Sequence, residues 1–141
     1  MGGRVARAGF ALGTIMMLSA FAAPQAGLQA VSKLEPGLWQ LRTTGQAGGP
    51  QSICVADPNM LLQVQHRSSP CSRLVLANEQ NGATVHYTCP VNGFGRTSLR
   101  VETSRLAKID TQGIMDNAPF AYRAEARRVG ACAGSGSRGS R

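Results

Sequence analysis

The fold class is decided by the stretch Ala83-Thr84-Val85-His86-Tyr87-Thr88-Cys89, in which apolar and polar side chains alternate. A period of two places one set of side chains on a buried face and the other toward solvent, which is the pattern of a half-buried β-strand. Residues 96–103 repeat the pattern. The sequence therefore predicts a mainly β fold: a small antiparallel sheet (a meander, curled or forming an open barrel) with one short helix and two disulfides.

Turn signals place a partner beside the deciding strand. Asn81-Gly82 lies between Leu74–Gln80 and Ala83–Cys89. Both turn residues tolerate positive φ, so the dipeptide is a strong hairpin signal. We expect these two segments to pair as adjacent antiparallel strands.

The remaining elements follow from local patterns. A strand over 38–43 comes after Pro36-Gly37, and a short strand is expected over 51–55. Asp57-Pro58 supplies a capping carboxylate followed by proline, which predicts a helix of about two turns over 59–65. Residues 119–128 alternate like a strand, yet their Ala, Glu and Arg residues favour a helix. Pattern and propensity leave both structures open for this last segment.

An export signal is predicted over residues 1–22. Two arginines, Arg4 and Arg7, precede an apolar stretch of 16 residues, and Ala20-Phe21-Ala22 offers small residues for cleavage after Ala22. Because roughly 20 residues are needed to cross a bilayer, an uncleaved membrane anchor is the less favoured alternative.

Cleavage leaves 119 residues, enough for a single domain. We expect an N-terminal linker over 23–33, a disulfide-stapled β-rich domain over 34–132 and a disordered Gly/Ser-rich tail over 133–141. No segment after the signal is apolar enough to span a membrane. The mature protein is expected in the periplasm or secreted.

The four cysteines all lie in the mature part: Cys54, Cys71, Cys89 and Cys132. No C-x-x-C pair is present, which disfavours a zinc site or a redox dithiol. We therefore predict two structural disulfides, as is typical of an oxidising compartment, and no metal or other cofactor.

Three pairings of these cysteines are possible. We favour Cys54–Cys71, which would staple the helix, together with Cys89–Cys132. If Gln80 faces Ala83 across the turn, Cys71 and Cys89 are offset by three residues, outside comfortable disulfide geometry. Cys54–Cys132 with Cys71–Cys89 is the alternative if a bulge interrupts the strands.

An ordered set of short motifs points to a family. Glu35-Pro36-Gly37-Leu38-Trp39, a cysteine followed by Asp57-Pro58, and Arg128-Val129-Gly130-Ala131-Cys132 occur in this order. The set resembles the exported bacterial family known as domain of unknown function 3617, over Leu34–Cys132. Ala131 and Gln40 stand where family members usually have acidic residues. The resemblance implies an exported, strand-rich domain and favours a strand over 119–128, and it supplies no catalytic residues.

Charge provides candidate binding residues. The whole chain has a formal net charge of +8, and removing the signal and tail leaves about +4 on the folded part. Arg96 and Arg100 share one strand face, and Arg123 and Arg127 share the polar face of another. If those strands are neighbours, the four arginines form one patch suited to carboxylates or phosphates. The favoured alternative is a solvated outer face with Glu102 and Glu125 as partners.

Function is weighed between three classes. The favoured one is a non-enzymatic envelope domain that binds an anionic or apolar small molecule or an envelope component, with Trp39, Tyr87 and Val101 lining its concave face. The others are a hydrolase-type enzyme with a site assembled from dispersed residues such as His86, and a purely structural envelope protein. His66 and His86 are expected to be ordinary exposed histidines. Export, and the lack of aromatic residues among the charges, argue against a nucleic-acid partner.

Overall fold

Seven antiparallel strands form one open sheet in the computed structural model, which describes residue 2 and residues 27–134. The sheet order is β2-β1-β7-β6-β5-β4-β3. The strands are β1 (Gly37–Thr43), β2 (Gln51–Val55), β3 (Ser72–Asn78), β4 (Gly82–Cys89), β5 (Gly93–Thr103), β6 (Leu106–Met115) and β7 (Ala118–Gly130). The predicted mainly β fold class is confirmed.

The topology is a five-stranded meander to which the N-terminal hairpin is added. Strands β3 to β7 pair with their successors in turn, and β1 then pairs with β7 on one side and β2 on the other. Leu38 at the start of β1 faces Gly130 at the end of β7, so the two ends of the domain lie side by side.

The strand alternative is correct for the last segment. Residues 118–130 form β7, which follows a tight turn at Asp116 and Asn117 with φ of 50° and 64°. Two successive positive φ values are typical of a type I′ hairpin turn, whose twist matches the flanking strands. The turn places β7 beside β6, and the two strands pair from Met115 and Ala118 to Leu106 and Arg127. This pairing overrides the helical propensity of the Ala, Glu and Arg residues in β7.

The favoured disulfide pairing is wrong, because the structure contains Cys54–Cys132 and Cys71–Cys89. The β3–β4 turn is centred one residue earlier than predicted: Asn78 faces Ala83, and Glu79 N–H donates to the Gly82 carbonyl at 2.8 Å. This moves the pairing by two residues. A bulge between Val75 and Ala77 moves it by one more. Together the two shifts close the expected three-residue offset, and Cys71 lies opposite Cys89.

Both disulfides tie down edge strands. Cys54 belongs to β2 and is bonded to Cys132, which lies two residues beyond the end of β7 with its Cα 5.4 Å from that of Cys54. Cys71 immediately precedes β3, the strand at the opposite edge, and is bonded to the last residue of β4. The two strands with a single neighbour are therefore each held by a covalent bond as well as by backbone pairing.

The predicted helix start is present, although the helix is of the 3₁₀ type. Asp57 accepts a hydrogen bond from the Asn59 N–H at 2.9 Å, and Pro58 begins a long 3₁₀ segment over Pro58–His66. The backbone breaks at Gln63, where φ is −138° and ψ is 44°. This break turns the last residues of the 3₁₀ segment over one end of the sheet.

The core lies between the inner face of the sheet and the 3₁₀ segment. Trp39, Tyr87 and Val85 are fully buried on the sheet side, and Leu61 and Leu62 are fully buried on the other. Residues 27–33, the described part of the predicted linker, also enter the core, because Ala30 and Val31 are buried. The predicted signal peptide and the tail beyond residue 134 lie outside the described residues.

Candidate functional site

The main concave feature is a cleft between the 3₁₀ segment and the ends of β1, β6 and β7, here called the 3₁₀ cleft. It consists of two adjoining cavities of about 360 Å³ and about 470 Å³ that share Gln51, Val64 and Gln65. The smaller cavity is also lined by His66, Arg67, Ser68, Ser69, Asn92 and Met115. The larger is also lined by Leu41, Thr43, Gln46, Pro119, Phe120, Ala121 and Tyr122.

Gln65 stands between the two cavities. Its amide nitrogen donates to the Met115 thioether sulfur at 3.2 Å, and its carbonyl oxygen accepts from the Tyr122 hydroxyl at 3.4 Å. Neither a sulfur acceptor nor an O–H···O distance of 3.4 Å gives a strong hydrogen bond. Gln65 is therefore held in place by two weak contacts.

His66 is buried beside the cleft, which corrects the expectation that it is exposed. Its side chain is 2% exposed. Its Nε2 lies 3.2 Å from the Asn92 carbonyl, and its Nδ1 lies 3.2 Å from the Tyr87 hydroxyl. Because a carbonyl can only accept, Nε2 carries the proton, and in the neutral ring Nδ1 accepts from Tyr87. Both ring nitrogens have partners, so the imidazole can be buried without an orphaned polar group.

Tyr87 extends the chain of hydrogen bonds from His66 into the core. Burial raises the pKa of Tyr87 to about 12, although a hydrogen bond with Thr111 acts in the opposite direction. The Thr111 hydroxyl lies 2.8 Å from the Thr97 hydroxyl. Gly95 leaves the space that the Tyr87 hydroxyl occupies, since a side chain there would collide with it.

We expect stability to fall between pH 10 and pH 12 because of Tyr87. An unfolded tyrosine ionises near pH 10, whereas folded Tyr87 keeps its proton to about pH 12. In this window the folded state binds more protons, so raising the pH favours unfolding. Urea unfolding at a series of pH values measures the slope. Tyr87→Phe should reduce the slope, with the remainder coming from Tyr122, and an unchanged slope in that variant would contradict the assignment.

Tyr122 also has a raised pKa, caused by burial and opposed by the nearby Arg67 guanidinium. Arg67 itself is exposed and forms no ion pair within residues 27–134. The cleft thus has a cation at its mouth that no carboxylate of the described chain neutralises. An uncompensated guanidinium is a suitable anchor for an anionic group.

The four candidate arginines lie on the outer face of the sheet and do not form one patch. Arg96 and Arg100 belong to β5, Arg123 and Arg127 belong to β7, and β6 separates the two strands. Three of them pair with carboxylates: Arg123 with Asp110 at 2.8 Å, Arg100 with Glu102 at 3.2 Å and Arg127 with Glu125 at 3.2 Å. This arrangement agrees with the solvated outer face that the sequence favoured.

Grooves on the outer face still bring some of these arginines together with other groups. Arg100 and Arg123 line a groove of about 450 Å³ that also contains Lys108 and Asp110. Arg96 lines a separate groove of about 470 Å³ that also contains His86, Phe94, Gln112, Gly113, Ile114, Phe120 and Ala121. Ligand binding by the arginines stays a prediction.

Trp39 and Tyr87 face inward as expected, but the inner face beneath them is filled. Both are 0% exposed, and Val101 is 7% exposed. The 3₁₀ segment and residues 30–34 cover this part of the sheet. The structure therefore gives these residues core positions rather than a place on an open concave surface.

The residues of the 3₁₀ cleft were not predicted as a site. Phe120 and Tyr122 belong to the alternating pattern of β7, which indicates that they point inward. Nothing in the sequence indicates that Gln65 and Arg67 would lie over them, because that contact depends on the break at Gln63.

Within 27–134, no group of three or more His, Cys, Asp or Glu side chains is arranged to hold a metal ion. None of the helices described is long and apolar enough to cross a membrane.

The fold and the site define a class: a small, open antiparallel sheet with disulfides at both edges and a cleft under a 3₁₀ segment. The chain belongs to the family described as protein of unknown function (DUF3617), whose model matches residues 34–132. The resemblance seen in the sequence motifs is thereby confirmed. No curated protein and no solved structure matches the chain.

Proposed function

We propose that this chain is an exported, non-enzymatic binding domain of the cell envelope that holds a small amphipathic anion in the 3₁₀ cleft. The observation that carries the proposal is the pair of adjoining cavities on either side of Gln65. Their separate volumes are in the range of small-molecule sites. Two disulfides at the sheet edges are consistent with an extracellular or periplasmic location.

The two halves of the cleft suit different parts of a ligand. The larger cavity places Leu41, Phe120 and the ring of Tyr122 among polar groups such as Thr43 and Gln46, which suits a ring or short chain that carries polar substituents. The smaller presents the polar groups of Ser68, Ser69 and Asn92, with Arg67 beside them. A ligand with an acidic head and a ring or short chain would match both halves, with the head near Arg67 and the ring against Phe120 and Tyr122.

Anilinonaphthalene sulfonate is a suitable probe because it combines a sulfonate with an aromatic body. We expect saturable binding to the folded protein, and Arg67→Gln should weaken it by about 5- to 10-fold through loss of a charge-assisted contact. Fluorescence titration measures the Kd. The matched control is Arg42→Gln, because Arg42 is also exposed and unpaired within the described chain, and it lies between the cleft-lining Leu41 and Thr43 on the opposite face of β1.

Two results would contradict the proposal. Equal weakening in both arginine variants would mean general attraction to positive charge rather than binding in the cleft. Absence of saturable binding would favour a purely structural role. Native mass spectrometry of protein isolated from the periplasm then identifies any natural ligand, and sequencing of the mature N-terminus tests export.

A further inference from the structure

Strand β3 leaves one side of the sheet open. It is the last strand in the order and has β4 as its one neighbouring strand among the described residues. Leu74 is 62% exposed, and Val75 and Leu76 are each 48% exposed. An exposed apolar edge of this kind is a template for pairing with another strand.

Two contacts show which residues of β3 direct their backbone groups toward β4 and which direct them toward the open edge. The Gly82 carbonyl accepts from Glu79 and therefore points toward β3, so by alternation the backbone groups of His86 and Thr88 do the same. The Cα atoms of Cys71 and Cys89 are 4.2 Å apart, which is the spacing of a non-hydrogen-bonded pair. Both contacts assign Leu74 to a pair bonded with His86, whereas Arg73 and Val75 are in non-bonded pairs.

It follows that Arg73 and Val75 direct their N–H and C=O groups to the open edge. They provide two donors and two acceptors, separated by one residue, on a strand whose apolar side chains are exposed. This set of groups is self-complementary under a two-fold axis through Leu74, because Arg73 of each copy can exchange two hydrogen bonds with Val75 of the other.

We propose that a second copy of this chain pairs with β3, antiparallel and centred on Leu74. The pairing forms four backbone hydrogen bonds and places the two Leu74 side chains opposite each other across the axis. The bulge after Val75 ends the regular alternation, so the paired segment is short. An edge interface of this size is at the lower end of specific interfaces and predicts a weak, reversible dimer.

Two other segments of the chain contact β3 without covering the open backbone groups of Arg73 and Val75. Gln63 of the 3₁₀ segment accepts from the Arg73 guanidinium at 2.8 Å, a contact made by the side chain alone. Gln29 contacts Asn78 through its backbone N–H at 2.9 Å and its side chain at 3.5 Å. These contacts lie at the far end of the strand, beyond the bulge. Residues Ser72 to Val75 therefore remain free to pair with the second copy. The two-fold pairing covers the open edge of β3 in both molecules, so no β3 edge is left for a third copy.

Register-specific crosslinking tests the proposal in the mature, disulfide-bonded protein. In Leu74→Cys the two new thiols face each other across the axis, and we expect rapid formation of an intermolecular disulfide under mild oxidation. The matched control is Leu76→Cys on the same exposed strand. In the proposed register residue 76 faces Ser72 of the second copy, so its two copies are too far apart to bond.

Val75→Pro tests the backbone contribution. Proline removes the N–H that points to the open edge, which a β3 edge strand tolerates, so the variant should fold and remain a monomer. Val75→Thr keeps the N–H and should dimerise. Sedimentation equilibrium over roughly 10 µM to 1 mM brackets weak association.

Three outcomes would overturn the proposal. Equal crosslinking of the two cysteine variants would contradict the proposed register. A wild-type protein that stays monomeric at 1 mM would contradict the proposed dimer. Concentration-independent protection of the Arg73 and Val75 amides from hydrogen exchange would mean that the chain's own N-terminal residues cover the edge.

Discussion

Replacing both Cys54 and Cys132 by serine is expected to lower the free energy of unfolding by about 4.5 kcal/mol. The bond spans 78 residues of sequence, and it restricts the unfolded chain over most of the domain. The loop closed by Cys71–Cys89 spans only 18 residues. The same chain-entropy relation gives about 3 kcal/mol for its removal.

Both double-serine variants avoid free thiols and can be compared directly. Urea unfolding, monitored by circular dichroism, measures each free energy. Since a domain of this size has about 5–15 kcal/mol of total stability, the Cys54/Cys132 variant should lie close to the limit of folding. A smaller loss for this variant than for the Cys71/Cys89 variant would show that chain entropy does not govern the difference.

Which disulfide contributes more stability depends on how the four cysteines are paired, and the sequence alone does not determine that pairing. Shifting a two-residue turn by one position changes the cross-strand pairing by two residues and leaves every side chain on its original face. The alternation of β4 is therefore compatible with either turn. Asn81-Gly82 favoured one turn, but the structure centres it on Gln80 and Asn81.

The bulge at Leu76 is a second feature that alternation does not indicate. The inserted residue changes which face of the sheet the side chains take, but only on one side of the bulge. Leu74, Val75 and Leu76 are all apolar. A continuous apolar run has no phase from which an inserted residue could be recognised. The sequence thus predicts the strands and their faces but not the register that brings Cys71 to Cys89.

Strand β6 shows a different kind of omission. Ala107, Ile109 and Thr111 alternate with Lys108 and Asp110, so the sequence does contain a strand signal for this segment. Without β6 in the layout, β5 and β7 are possible neighbours. Inserting β6 between them separates Arg96 and Arg100 from Arg123 and Arg127.

The 3₁₀ cleft depends on tertiary contacts that no local pattern contains. Asp57-Pro58 correctly predicts where the helix begins, but the break at Gln63 and the burial of His66 follow from partners contributed by distant strands. The Tyr87 hydroxyl and the Asn92 carbonyl are 21 and 26 residues away from His66 in the sequence. A site made from such contacts can be recognised only after the fold is known.

Trp39→Ala is expected to lower the free energy of unfolding by about 4 kcal/mol, within the range for a large aromatic residue removed from a core. Trp39 is fully buried, and its indole N–H donates to the Glu35 carbonyl at 3.0 Å. The Glu35 carboxylate accepts hydrogen bonds from Ser104 at 2.8 Å and Arg105 at 3.0 Å, and these contacts hold its pKa below the ordinary value. Loss of the indole therefore also loosens the contact between the N-terminal residues and the β5–β6 turn.

Trp39→Phe separates a core role from a binding role. It keeps an aromatic ring but leaves the Glu35 carbonyl without its donor, so we expect a loss of about 2 kcal/mol. Because Trp39 has no exposed surface, the Kd of the folded variant for anilinonaphthalene sulfonate should equal that of the wild type. Urea unfolding and fluorescence titration measure the two quantities independently. A weaker Kd with unchanged stability would restore Trp39 as a ligand contact, whereas lower stability with an unchanged Kd assigns it to the core that supports the cleft.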